Sequence, residues 1–305
     1  MRVALVSDIH GDFVPGERRA LVLSAIADTI AAAGTDVLLI AGDTANDVDH
    51  LRKILPPLAV GKLLNAIVPG NHDVWRTRSA MRNGHDSFGA LTLFRSRAEA
   101  AGFRYLPGQP VVVSKGRERW GFAGSLGWYD YTFAEPYLVV ADGAYEAKTW
   151  GGMVQNDVDS VLWMDAAHRL VNDYEMTSRC LRQMEADLRS LGLDESGAGV
   201  PTVAVTHTLP YREFVETRGV PDWDFFNAFM GSVRIGEMYD RFPKVRAAFA
   251  GHIHRPKGFS RPDGFVAACA PLGYYGTDEF PGWGGMDGRI AFFDTVGESL
   301  VRVRP

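Results

Sequence analysis

The chain has 305 residues, 46% hydrophobic and 23% charged, an ordinary globular composition that suits one large domain or two small ones. Its 32 basic and 37 acidic residues leave a net charge of -5, which gives no overall reason to bind nucleic acid or an anionic membrane. The two cysteines, Cys180 and Cys269, lie far apart and outside any CxxC or His pairing, which argues against a disulfide framework and for a reduced compartment.

Arg2 to Ser7 reads as a short buried strand that runs straight into Asp8-Ile9-His10. No run reaches the length of a membrane span, and Asp8 comes so early that no cleaved leader is expected; a cytoplasmic protein is expected. Glu17 to Ala33 places Leu21, Val22, Ala25, Ile26 and Ile30 on one face of a predicted helix, with Gly34 as its C-cap. Val37 to Ala41 is a second strand and leads into Gly42-Asp43. Val48 to Leu58 is predicted as a helix stopped by prolines. Leu63 to Val68 is a third strand, closed by Pro69-Gly70-Asn71-His72-Asp73. Alternating strand and helix is the pattern of a parallel sheet. Ser87 to Ala101 predicts another helix, ending at Gly102. Three short β-like runs follow: Phe103 to Leu106, Val111 to Ser114 and Trp120 to Ala123.

Gly124 to Asn156 shows no period and is rich in aromatics, among them Trp128, Tyr129, Tyr131 and Phe133. It is predicted to open an insertion, over roughly 124–200, that folds over the mouth of a site. Within it, Val158 to Tyr174 and Ser178 to Leu191 read as two amphipathic helices. Thr202 to Thr206 resumes the sheet and ends at His207; Leu209 to Gly231 is a second aromatic loop. A short helix, Val233 to Arg241, precedes the strand Val245 to Ala250, which leads into Gly251-His252-Ile253-His254. Val266 to Cys269, Ile290 to Phe293 and Leu300 to Val303 are further strands. Because the candidate ligands run from Asp8 to His254, a single domain over 1–305 is expected.

Five apolar runs thus end in metal-type side chains, at the strand ends where open α/β sheets place ligands. An amide, an imidazole and a carboxylate directly after Pro-Gly are poor core material. Side chains alternate along a strand, so Asp8 and His10, and likewise His252 and His254, are expected to face one side. Asp43 offers a carboxylate able to bridge two ions, His207 an imidazole and Asn71 an amide oxygen. This mixed set suits Mn, Fe, Zn, Co or Ni more than Mg or Ca alone.

In that order, Asp8-x-His10, Gly42-Asp43, Gly70-Asn71-His72-Asp73, His207 and Gly251-His252-x-His254 resemble the signature of the calcineurin-like metallophosphoesterases. The resemblance implies an α/β fold with a central β-sandwich flanked by helices, to which the aromatic-rich insertion expected over the metal site is added. It also implies a metal-dependent phosphoric ester hydrolase that carries two divalent or trivalent ions, Mn, Fe or Zn. Asp8, His10, Asp43 and His254 would hold the first ion; Asp43 as bridge, Asn71, His207 and His252 would hold the second. Hydroxide made between the ions would attack phosphorus, His72 would protonate the leaving oxygen, and Asp73 would orient His72. Two departures stand out. Asn46 occupies a position where the family usually has Asp and the purple acid phosphatases a Tyr, which argues against an iron-tyrosinate centre. Pro69 stands where serine/threonine protein phosphatases usually carry Arg, which argues against a protein substrate.

Outside the blocks, Arg76, Arg78 and Arg82 either grip a second phosphate or form a solvated, salt-bridged face. Trp128 and Tyr129 either stack a flat ligand or pack the insertion on the sheet. The Pro281-Gly282-Trp283-Gly284-Gly285 turn is another candidate flank of the pocket. His50, His85 and His168 read as solvated. The expected activity is hydrolysis of a phosphomonoester or phosphodiester on a small phosphorylated substrate, with neither nucleic acid nor membrane as partner. One alternative is a cyclic-nucleotide or nucleotide phosphodiesterase with the aromatic insertion as base platform. The other is a non-catalytic module that keeps its metals for ligand binding or scaffolding.

Overall fold

The computed structural model describes residues 1–82, 84–278 and 288–304, apart from the side chains of Ser79 and Arg82. The 281–285 turn and the Arg82 side chain therefore lie outside the described residues. Fourteen strands occur among the described residues: β1 (Arg2–Val6), β2 (Val37–Ala41), β3 (Leu64–Val68), β4 (Arg104–Tyr105), β5 (Val111–Lys115), β6 (Glu118–Ser125), β7 (Thr149–Trp150), β8 (Met153–Val154), β9 (Thr202–Thr206), β10 (Val245–Ala250), β11 (Lys257–Ser260), β12 (Val266–Cys269), β13 (Ala291–Val296) and β14 (Ser299–Val303). They form two six-stranded sheets, ordered β14-β13-β1-β2-β3-β4 and β11-β12-β10-β9-β6-β5, with β7 and β8 as a separate hairpin.

In the first sheet β1 to β4 run parallel, with Leu5 opposite Leu39 and Leu39 opposite Ala66. In the second, β12, β10, β9 and β6 run parallel, with Val205 opposite both Phe249 and Gly124. Parallel strands covered on both faces must be apolar throughout, which is why these runs are continuous rather than alternating. On β1, Val3 and Leu5 point into the layer between the sheets, while Ala4 and Val6 face the outer helices. The inter-sheet layer also holds Trp120, Phe122, Phe249 and Phe293, the last two with ring centroids 4.7 Å apart. This is the sandwich with helical flanks that the sequence leads one to expect.

The helix Gly16–Ala32 lays Val22, Leu23, Ile26 and Ile30 on the first sheet and ends at Gly34, whose φ is +72°. Leu21, expected on that face, points to solvent. Val48 to Leu58 is not one helix. Pro56 and Pro57 lack the N–H that would continue it, and it divides into short turns over Val48–His50, Leu51–Ile54 and Pro56–Leu58. The predicted helix over Val158 to Tyr174 is also absent. One turn, Asp157–Ser160, is followed by a loop in which the Asp165 carboxylate accepts the N–H groups of Ala167 and Arg169, bonding that competes with a helix. The next helix, Asp173–Ser190, starts instead at Asn172, whose side chain accepts the N–H of Glu175.

The aromatic stretch after β6 is core. Trp128, Tyr129 and Phe133 are fully buried, and Tyr129 meets Phe229 of the second aromatic loop edge-on at 5.4 Å. Tyr145 stacks on Phe225, also at 5.4 Å. Each aromatic loop covers the other's apolar surface.

Truncating Phe249 to Ala, which leaves a hole between the sheets, is expected to lower unfolding free energy by about 3–5 kcal/mol. Urea denaturation of the metal-stripped variant against stripped wild type reads this directly.

Candidate metal centre

All five blocks leave the carboxyl ends of parallel strands at one rim where the sheets meet: Asp8 and His10 after β1, Asp43 after β2, Asn71 and His72 after β3, His207 after β9, and His252 and His254 after β10. The rim is tied across the sheets by His207, whose Nδ1 donates to the Ala41 carbonyl at 2.9 Å. That bond fixes the ring so that Nε2 turns to the centre of the rim.

The two-residue spacings do not work through strand pleating. β1 ends at Val6 and β10 at Ala250, so both pairs lie in turns. Asp8, His10, Asp43 and His252 instead have left-handed backbone, with φ of 51°, 42°, 54° and 72°. Such a conformation costs a non-glycine residue about 1–3 kcal/mol, and strain of this kind gathers where function demands a particular side-chain direction. Glycine makes the approach possible. A Cβ on Gly70 would collide with Oδ1 of Asp43, and one on Gly42 with the His207 ring.

Two groups of ligand atoms result. In the first, His10 Nε2 lies 3.3 Å from His254 Nε2, which lies 3.6 Å from Asp8 Oδ1. In the second, Asn71 Oδ1 is 3.1 Å from both His207 Nε2 and His252 Nδ1, and those nitrogens are 3.2 Å apart. Asp43 joins the groups: its Oδ2 lies 3.3 Å from His207 Nε2 and 3.8 Å from His10 Nε2, while its Oδ1 accepts the His72 N–H at 3.0 Å. His252 and His254, expected on one side, thus serve different groups. Within Asp8, His10 and His254, and within Asp43, His207 and His252, the candidate donor atoms all fall within 4.8 Å of one another. His10, Asp43 and His72 meet the same limit, with His72 Nε2 3.9 Å from Asp43 Oδ2.

Electrostatics favours a cation here. Lone pairs of imidazole, amide and carboxylate converge in a buried space: His10 Nε2 and His254 Nε2 near Asp8, and Asn71 Oδ1, His207 Nε2 and His252 Nδ1 together near Asp43. Burial drives His10 well below its ordinary pKa and His252 down to about 3, so both are neutral and able to ligate. Burial also acts to lower His207, but Asp43, Asp8 and the Ala41 carbonyl outweigh it and push the ring up to about 9. Burial raises Asp8 to about 6, against the pull of His207 and His254. Positive charge is therefore held at His207 as a proton, in the place where the residues fit an ion. Oxygen and nitrogen donors without thiolate suit a borderline metal pair.

His72 lies beside this cluster, its ring stacked on Trp75 at 3.8 Å. Its Nδ1 meets Asn46 Oδ1 at 2.8 Å, so Asn46 orients it. Asp73 does not take that role. Its carboxylate accepts the N–H groups of Thr44 and Ala45 at 3.0 and 3.1 Å and of Gly70 at 2.8 Å, clamping two ligand loops together. Burial and Asp43 push Asp73 up to about 8, with the Gly70 and Ala45 N–H groups opposing.

Trp128 and Tyr129 cannot stack a substrate. Both are 0% exposed, with the Trp128 indole N–H donating to Asp173 at 2.7 Å and the Tyr129 hydroxyl to Asp157 at 3.0 Å. Arg76 points its guanidinium to the Asp159 carbonyl at 3.4 Å, and its backbone N–H donates to Ser160, so it fastens the insertion. The aromatic groups beside the cluster are others. Tyr274 packs on His10 at 4.4 Å and on Phe13 at 5.1 Å, Phe13 is 50% exposed, and Trp75 is half-buried. Among residues the sequence reading did not assign, Asn46 was visible as a departure from the family pattern. Asp157 was not, since a lone Asp between an aperiodic stretch and a predicted helix carries no signal. It accepts from Asn71 Nδ2 at 3.0 Å and Trp75 Nε1 at 2.6 Å.

Residues 1–256 match the family described as calcineurin-like phosphoesterase. No curated protein matches the chain. Among solved structures, a phosphopantetheinyl hydrolase from Mycobacterium tuberculosis aligns with a TM-score of 0.68 and 20% identity over 89% of each chain. A dimetal phosphatase from Danio rerio aligns with a TM-score of 0.51 and 12% identity, over 100% of this chain and 98% of that one. At those identities the likeness is one of fold.

Two outcomes are expected of the centre. Gly70→Ala, by displacing Asp43, should weaken metal binding by about 10–100-fold, read by metal content after dialysis. Loading the stripped protein at pH 7.5 should release about one proton, because His207 is protonated below about 9 and must deprotonate to ligate. Apparent affinity should therefore rise with pH up to that value, as a pH-indicator titration would show.

Proposed function

The chain belongs to the calcineurin-like phosphoesterase family and is a metallophosphoesterase-type hydrolase, and from that premise we propose that it hydrolyses a phosphomonoester or phosphodiester of a small molecule at two ions bridged by Asp43. The observation that carries the reading is the convergence of two donor groups, one on each side of a single carboxylate oxygen. Asp8, His10 and His254 would hold one ion, and Asn71, His207 and His252 the other, with Mn, Fe or Zn fitting the donor set.

When bound, such ions supply Lewis acidity for the phosphoryl oxygens and a nucleophilic water at neutral pH. The chain's own part is positioning and proton transfer. His72 donates Nδ1–H to the Asn46 carbonyl oxygen, which leaves Nε2 as the exchangeable site facing Asp43. Burial lowers the His72 pKa while Asp43 and Asp157 pull it back up, so a proton on Nε2 is readily given to a leaving oxygen. Asp73 acts at one remove, holding the loops of Asp43 and Asn71 in register.

Phe13, Trp75 and Tyr274 present apolar ring surface beside the cluster, which favours a leaving group with a flat or apolar face. A nucleotide diester fits this rim, in place of the buried Trp128 and Tyr129.

The test is turnover of a panel by purified protein reloaded with Mn, Zn or Fe: aryl and alkyl phosphomonoesters, bis(p-nitrophenyl) phosphate, cyclic nucleotides, and a phosphopantetheinyl ester, the group named for the Mycobacterium tuberculosis protein. Metal-dependent hydrolysis of at least one is expected, with aryl or nucleotide esters ahead of alkyl ones. No turnover on any ester by fully loaded protein would favour the non-catalytic module. His72→Ala should lower kcat by about 10²–10⁴-fold with metal content unchanged.

A further inference from the structure

Asp157 is a carboxylate 1% exposed, and its three side-chain partners among the described residues are neutral donors: Asn71 Nδ2 and Trp75 Nε1 on Oδ1, and the Tyr129 hydroxyl on Oδ2. Burying a carboxylate among neutral partners is expensive, whereas Asp173, the other carboxylate against these aromatic rings, is paired with Lys148. What Asp157 touches gives the reason. An Asn side chain has an oxygen face and an N–H face of nearly the same shape, and only the oxygen can ligate a cation. A carboxylate accepts and cannot donate, so it selects the N–H face of Asn71 and turns Oδ1 to His207 and His252. The same Oδ1 of Asp157 takes the Trp75 indole N–H, and that indole stacks on His72.

We propose that Asp157 is a positioning residue of the metal centre, supplied by the insertion, that sets the ligating face of Asn71 for the second ion and, through Trp75, the placement of the His72 ring. The role rests on the two-ion reading given above. It gives the buried aromatic core a task, since Tyr129 holds the other oxygen of Asp157 and fixes its direction. Residues 157–162 are held against the loop after Asn71 by the Arg76 N–H on Ser160 and the Ser87 N–H on Leu162, so the carboxylate cannot drift.

Full-length protein stripped with chelator is titrated with Mn²⁺ by calorimetry, and the two binding steps are fitted separately. Wild type is expected to bind two ions; fewer would overturn the two-ion reading and this inference together. Asp157→Ala should leave the first step unchanged and weaken the second by about 10–100-fold, the usual effect of losing an outer partner of a ligand. Asp157→Asn should restore the second step to within a few-fold. The Trp75 N–H holds the new amide's oxygen on the Asn71 side, and the Tyr129 hydroxyl can rotate to accept from its nitrogen. The exchange Asn71→Asp/Asp157→Asn gives an independent route should the Ala variant not fold. A carboxylate at position 71 has no wrong face, so the second ion should bind at least as tightly as in wild type. With two ions bound by wild type, three results would each overturn the inference alone: an unchanged second step in Asp157→Ala, equal weakening of both steps, or loss of the second ion in the exchange variant.

Discussion

Everything at the rim is arranged around one oxygen. Asp43 Oδ2 lies within 3.3–3.9 Å of nitrogens on His207, His10 and His72, and the carboxylate itself is buried. A buried carboxylate in that setting demands positive charge, and the surroundings show how strongly. His207, its pKa pushed up to about 9 against the effect of burial and chiefly by Asp43, holds a proton beside that carboxylate. The backbone bends to the same end. Four ligand residues adopt left-handed φ, and glycines stand wherever a Cβ would push the carboxylate or His207 aside. These strained turns persist because each is anchored to a strand buried on both faces.

The strands supplying the ligands were legible because two-sided burial writes itself as uninterrupted Val, Ile, Leu and Ala, as in Val37–Ala41. The blocks were legible for the opposite reason: polar side chains directly after such runs have no place in a core. Other features left no trace of that kind. Trp128 and Tyr129 look the same in a sequence whether they face water or core, and only the second aromatic loop, about a hundred residues on, decides it. Val158 to Tyr174 carries apolar residues at helix-like intervals, yet its one helical turn stops at Ser160, and in the loop beyond it Asp165 bonds the N–H groups of Ala167 and Arg169. The edge strand β11, Lys257–Ser260, has too little apolar character to be read.

The orienting groups were the hardest to see. Asn46 and Asp157 act by setting which face of another side chain is offered, a role without a sequence signature of its own. Asp73 was seen and given the wrong partner, because the family resemblance implied a contact with His72 that the turn does not make; its carboxylate points back into the loop bases. Proximity along the chain is a poor guide inside tight turns, where successive side chains diverge.

The His207 ring and the Ala41 carbonyl that fixes it are 166 residues apart, and the His252 N–H that meets Asp8 is 244 residues from it. During synthesis the acidic half of the rim therefore leaves the ribosome long before its imidazole half. Until the second sheet docks, Asp8 and Asp43 lack the His252 N–H and the His207 ring that meet them in the folded chain. An ion held by donors from both halves would therefore bind in full only after the last parallel strands have found their places.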